Sequence, residues 1–405
     1  MMLCSCSSDE PSDAANGGNQ DERFVPVSLS AAEKAAAEAS ASFQYRLFSK
    51  ACELADPNEN VIVSPLSARI LLSMLANATS PEGRDEITHA LGCDDINALN
   101  SLGRALVSQL PAMDGMVSMS MAQSVWYDRQ YTLAPDFAEL IAGFYNADFF
   151  PRDTWNRDAM LAEINRWCSD RIGGRIPKYL DRYDPVVVLL ANAMHFQAKW
   201  KNDNRFDESK TTEMTFHGAS ADSKVRMMRD SYSGLVLYGE NFSGIMRRFG
   251  NSDGARGFMI YCILPDEGTS VNELAADNCI MDHYKTTEME INLALPKFSL
   301  TSGKKTLDET LKALGVNKIF YPEHQRIFSV GPSKFQWVTN QGASISINED
   351  GAEIAAVTFG EGWNSTPPKP SPVETIDITF DRPFLFFVTE NSTNSVLLAG
   401  KVMNL

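Results

Sequence analysis

The chain has 405 residues, 44% hydrophobic and 22% charged, and its 36 Lys and Arg against 52 Asp and Glu give a formal net charge of −16. That balance speaks against nucleic acid and anionic lipid surfaces as partners, since both demand clustered basic residues. No apolar run is long enough to span a bilayer, and no Pro/Gly/Ser-rich or charge-rich break interrupts the body of the chain, so one large domain is expected.

Seven cysteines are present. Cys4 and Cys6 sit at the N-terminus, while Cys52, Cys93, Cys168, Cys262 and Cys279 are isolated, without a CxxC pair or a Cys/His cluster. Buried free thiols and no metal site follow, and nothing in the sequence asks for a cofactor. Leu3-Cys4-Ser5-Cys6 is similar to a bacterial lipobox, with Cys6 as the lipid-bearing residue, although the basic and apolar signal regions are missing before it. The expectation is a lipoprotein with a truncated start, at a bacterial surface or outside the cell, whose polar, acidic residues 7–23 form a flexible tether. The domain division is therefore 1–24 for the tether and 25–405 for the folded part, a monomer whose contact with a membrane is through the lipid alone.

In chain order, Ser30 and Glu33 make a capping box, and Phe43, Leu47, Ala51 and Leu54 recur at helical spacing until Asp56-Pro57. Ser67 to Ala78 is a second, nearly all-apolar helix. Ile164, Trp167, Cys168 and Ile172 form one face of another, stopped by Gly173-Gly174. Strands dominate later. Val186–Leu190 and Phe258–Leu264 are continuous apolar runs, as in fully buried strands. Met289, Ile291, Leu293 and Leu295 alternate with polar residues, and Phe384–Val388 and Val396–Leu398 flank the polar turn 390–394. Helices first and strands later, without βαβ alternation, predict an α+β fold.

Catalytic motifs fail on context. Gly250-Asn-Ser252-Asp-Gly254 has the G-x-S-x-G spacing, but a strand pattern follows it where a nucleophile elbow needs a helix, so Ser252 reads as part of a turn. Ser302-Gly-Lys-Lys305 has S-x-x-K spacing without the companion motifs of that chemistry. No enzyme is indicated.

The unusual stretch is 349–372. Split by parity, Ala352, Ile354, Ala356, Thr358, Gly360, Gly362 and Asn364 form one uncharged, mostly small set, while Glu353, Phe359, Glu361 and Trp363 fall in the other. Alternate residues of a strand face opposite ways, so this segment could lie with its small face against a core, as far as Pro367. A flexible Gly- and Pro-rich loop fits the composition equally well.

Resemblance decides between the two. Asn348-Glu-Asp-Gly-Ala-Glu-Ile-Ala-Ala-Val-Thr358 is similar to the proximal hinge of serpins, and Asp381–Val388 and Leu397–Asn404 resemble that family's closing strands. Asn60–Ser67, Ile164–Trp167 with Gly174–Pro177, and Leu189–Trp200 match its other motifs, so the likeness runs over about residues 30–405. It implies a fold of about nine helices around three β-sheets, with an exposed reactive-centre loop at about 349–376.

It also implies a suicide-substrate inhibitor of a serine protease. The protease cleaves the loop and forms an acyl-enzyme. The freed segment, hinged at Glu349, Gly351, Ala352, Ile354, Ala355, Ala356 and Thr358, then enters the central sheet and carries the protease with it. Roughly fourteen residues at ~3.3 Å each would move it ~45 Å, and about a dozen new hydrogen bonds near 1 kcal/mol each would supply on the order of ten kcal/mol. Family spacing puts the cleaved bond at Ser365-Thr366, which suits an elastase-like or broad-specificity enzyme; Phe359 and Trp363 are alternates for a chymotrypsin-like one. Ser64, Ser67, Asn192, Trp200 and Gln341 fall at shutter and breach positions. Ile354 stands where inhibitors usually carry alanine and is expected to slow insertion. The alternative is a non-inhibitory serpin-like binding or chaperone protein.

Overall fold

The computed structural model describes residues 23–171, 186–201, 205–253, 256–301, 305–332, 335, 339–341, 343–352 and 374–405. Its folded part is fastened from Arg23 onward, where Gly115 donates to the Arg23 carbonyl and Val25 to that of Met113.

The predicted capping box forms, with Ser30 N–H donating to Glu33 Oε2 at 2.7 Å and the Glu33 amide donating back to Ser30 Oγ. The helix it starts, Ala31–Ala39, breaks at Ser40, and Ala41–Leu54 continues as a separate helix. The break has a visible use. Ser40 donates to the Ala36 carbonyl at 2.7 Å and accepts from the guanidinium of Arg69, which also reaches Ser395 Oγ at 2.9 Å. Arg69 is 2% exposed, and burial lowers its pKa to about 10. Three hydroxyl and carbonyl groups thus tie the N-terminal helices, the helix Pro65–Ala76 and the C-terminal strand together. Leu54, grouped with the apolar stripe, is 53% exposed instead, because the chain turns away there.

Helix Pro65–Ala76 is buried at every position. It packs against Ser395–Val402 and the long strand Val188–Lys199. Phe384–Glu390 and Ser395–Val402 pair antiparallel and are buried throughout, with Asn394 at φ 50° closing the turn. The short run expected at 186–190 extends as a strand to Lys199, through polar residues that its alternate face accommodates.

Nine α-helices are described, and the strands form two large hydrogen-bonded arrays with two small ribbons. Strand Asp222–Tyr238 pairs with Thr212–His217 at its start, with Phe242–Arg248 at its end, and along its length with Lys285–Pro296. It thereby fuses two sheets into one of nine strands. The six-stranded central sheet runs in the order Phe298–Thr301, Ser344–Asn348, Gly351–Ala352, Val188–Lys199, Val117–Asp128, Asp148–Arg152.

One face of the central sheet lies on the main core. The other is covered by helix Arg157–Arg171, which sets Met160, Ile164, Trp167 and Cys168 on Ala122, Trp126, Ala191 and Ala193. Asp148 fastens that helix, accepting from Trp167 Nε1 at 2.8 Å and from Arg171. An Asp148→Ala variant is expected to speed hydrogen exchange in helix 157–171 while leaving the 384–402 hairpin protected. Unchanged exchange in the helix would show that its apolar contacts and the Arg152–Glu163 pair hold it without Asp148.

Candidate functional site

The expected hinge begins in a tight reversal. Strand Ser344–Asn348 buries Ile345 and Ile347, and the Asn348 side-chain oxygen then accepts from the amides of Asp350 at 2.9 Å and Gly351 at 3.1 Å. This local bond substitutes for a backbone turn and sends the chain back on itself. Gly351 and Ala352 come back as a two-residue strand, paired with Asn348 and Ile347 on one side and with Lys199 and Ala198 on the other. Gly351 has φ 151°, and a Cβ there would stand 2.0 Å from the Ala198 carbonyl oxygen, so this close approach requires glycine. Ala352 is 2% exposed.

Trp200 secures the reversal from below. Its Nε1 donates to the Asn348 carbonyl at 2.8 Å, its amide donates to the Asp350 carbonyl, and its ring stacks on Phe249 with centroids 4.6 Å apart. Beside it, the buried Arg247 pairs with Asp230 at 2.8 Å and lies 4.1 Å from the Phe206 ring centre.

Glu349 is held from the far side. Its carboxylate accepts from Thr211 Oγ1 at 2.8 Å and pairs with Lys297 Nζ at 2.7 Å. Burial alone would raise this carboxyl, but the bonds from Lys297 and Thr211 outweigh it and hold it below its ordinary value. Arg205 pairs with Asp350 next to it, at the lip of a polar recess of about 420 Å³.

The residues expected at shutter positions lie apart from this hairpin. Ser64 is 1% exposed and caps helix Pro65–Ala76, accepting from the Ser67 amide; Ser67 is itself buried. A small cavity lined by Ser64, Met194, Phe196, Ala343 and Leu398 puts Ser64 where the strands 188–199 and 344–348 face each other. Asn192 stands in register with Gln123 of the adjacent strand. Gln341 pairs through its backbone with Lys305. Ile354, Ala355, Ala356, Thr358, Phe359, Trp363, Ser365, Thr366 and Cys6 lie outside the described residues. The chain is described again from Glu374, whose carbonyl accepts from Glu290, and Thr375–Thr379 then runs parallel to Lys285–Pro296 in the other sheet.

Ser252 is fully buried, with Oγ at the carbonyls of Phe249 and Phe258, and the strand Phe258–Pro265 follows. The turn reading holds, and its hydroxyl is no nucleophile. The sequence did not point to Lys297, Thr211 or Arg205 as parts of the hinge. Each is a single polar residue, and only the fold brings them to 349–350.

Two outcomes follow. Gly351→Ala is expected to unseat residues 351–352, seen as faster hydrogen exchange at Ala352 and at Trp200, whose amide donates to the Asp350 carbonyl, without loss of the core. For Glu349, a depressed carboxyl contributes stability that is complete above the ordinary carboxylate range and is lost as pH falls through the lower folded-state value. The denaturant midpoint of Glu349→Gln should therefore lie below that of the parent at neutral pH, and the gap should close on acidification below about pH 4. A pH-independent gap would assign the effect to packing instead.

A family model described as Serpin (serine protease inhibitor) matches residues 38–405. Serpin-ZX of Arabidopsis thaliana is 28% identical over 377 residues, covering 86% of this chain and 92% of its own. The serine protease inhibitor of Cyanea capillata is 26% identical, covering 85% and 92%. Among solved structures, the thermophilic serpin tengpin in its native state is similar with TM-score 0.79 and 27% identity, covering 95% of this chain and 97% of its own. Its latent state gives 0.72. Human thyroxine-binding globulin shares the fold at TM-score 0.77 and 21% identity, covering 92% and 99%.

Proposed function

Since this chain belongs to the serpin family, whose members are in general protease inhibitors rather than enzymes, we propose that it traps a serine protease as a suicide substrate. The observation that carries this reading is the seating of Gly351 and Ala352 between two strands, antiparallel to both. Such a start can grow. Carried on in the same register, Ile354 comes beside Phe196 and Ile345, and Ala356 beside Met194 and Ala343. Phe196 and Ile345 are both buried and apolar, so Ile354 has a compatible surface to enter despite its bulk. Glu353 takes the opposite face, beside the half-buried polar Gln197 and Ser346.

The loop offers Ser365-Thr366 to an elastase-like or broad-specificity enzyme, and Cys6 carries a lipid that keeps the inhibitor at a bacterial surface.

Incubation with elastase-, chymotrypsin- and trypsin-like proteases should give an SDS-stable complex with the first, and the mass of the released peptide should place the cut at Ser365-Thr366. Ala352→Arg should abolish the complex while cleavage continues, because insertion would bury an unpaired charge. Cleavage without complex in the parent chain would sink the trap and favour a binding protein.

A further inference from the structure

The three consecutive carbonyls of the hairpin are each held by one of two aromatic residues. Trp200 donates through Nε1 to Asn348 at 2.8 Å and through its amide to Asp350 at 2.8 Å, while the Phe206 amide donates to Glu349 at 3.3 Å. Both donors lie beyond the end of strand Val188–Lys199, where the ladder of the central sheet no longer fixes the chain. Something else must set their orientation.

Their rings meet at one guanidinium. Arg247 Cζ lies 4.1 Å from the centre of the Phe206 ring, 5.6 Å from that of Trp200 and 4.7 Å from that of Tyr232. Arg247 is 0% exposed, and the Asp230 carboxylate that pairs with it stands on the same strand as Tyr232, Asp222–Tyr238. Arg247 itself belongs to Phe242–Arg248, two residues before the Phe249 ring on which Trp200 stacks. The cation and its anion thus come from the nine-stranded sheet, and two of the three rings come from the segment that holds the hinge. A cation against ring faces attracts most strongly where water is excluded, and a flat, weakly hydrated guanidinium stacks where an ammonium does not.

We propose that Arg247 is a positioning residue for the hinge: from the nine-stranded sheet its guanidinium orients the Phe206 and Trp200 rings, and through them the donors to the carbonyls of Asn348, Glu349 and Asp350. Lys297 and Thr211 hold the Glu349 side chain, whereas Arg247 governs the grip on the hairpin backbone. The inference rests on the suicide-substrate reading for its consequence in inhibition; the grip itself is read without a protease.

The test uses the full chain with Arg247→Met, Arg247→Lys and Phe206→Leu, and the Met and Leu changes combined. Hydrogen exchange is followed at the Trp200 and Phe206 amides and, for comparison, along strand Phe258–Pro265, which pairs with Arg247's own strand. Arg247→Met should speed exchange at the two amides about tenfold relative to that strand, and Arg247→Lys, which keeps the charge without the flat face, should fall between Met and the parent. In the Phe206→Leu background, Arg247→Met should add little at the Phe206 amide. Equal effects of Met and Lys, equal acceleration along 258–265, or full additivity with Phe206→Leu would overturn the grip. Should Arg247→Met fail to fold, Arg247→Lys must still separate the two amides from 258–265, and its failure to do so counts against the proposal. With elastase, the share trapped rather than released should fall from parent to Lys to Met. A parent that traps none but shows the exchange pattern would sink the trapping reading and uphold the grip.

Discussion

Backbone amides and carbonyls in a sheet must find partners, and the central sheet meets that requirement unevenly. Strand 188–199 is paired from Val188 to Ala198 with its neighbour at 117–128. On its other edge, among the described residues, the strand pairing comes only from Gly351 and Ala352. Everything around the hinge bears on those two residues. Asn348 turns the chain toward the edge, Trp200 grips the carbonyls on both sides of the turn, and Lys297 and Thr211 hold Glu349 beside it.

Magnitudes separate what these contacts can do from what they cannot. The Glu349–Lys297 pair is partly exposed on its lysine side, and such pairs contribute about 1 kcal/mol or less. A full inserted strand would add on the order of ten hydrogen bonds at about 1 kcal/mol each. In the proposed mechanism the latch therefore governs when the loop moves, while the sheet governs which way. Helix 157–171 belongs to the same balance, because it covers Ala191 and Ala193 on the outer face and is fastened through Asp148 and the Arg152–Glu163 pair.

The parts of the fold that the sequence revealed were those with a strong local pattern. Apolar runs such as 258–265 and 384–390 are buried strands, and the Ser30 capping box forms as expected. Strand Asp222–Tyr238 escaped notice because it mixes charged, small and apolar residues and serves different neighbours along its length, so no one period runs through it. The break at Ser40 was equally hidden, since its cause is Arg69, a residue twenty-nine positions away. At the site, Gly351 and Ala352 were legible through family likeness and strand parity. Lys297 and Thr211 were not, because a polar residue becomes informative only when the fold shows what it faces.

The hairpin at 348–351 also determines how this segment can change without losing its role. Its register is set at one end, by a turn of fixed length and by a glycine that touches the neighbouring strand. In the proposed insertion every residue beyond would inherit its face from that anchor, and a shift by one position would exchange the two faces all the way down. The segment should thus tolerate conservative replacement at most positions yet reject the gain or loss of a single residue between Asn348 and Thr358. Variation in length belongs beyond that stretch, outside the register that the hairpin sets.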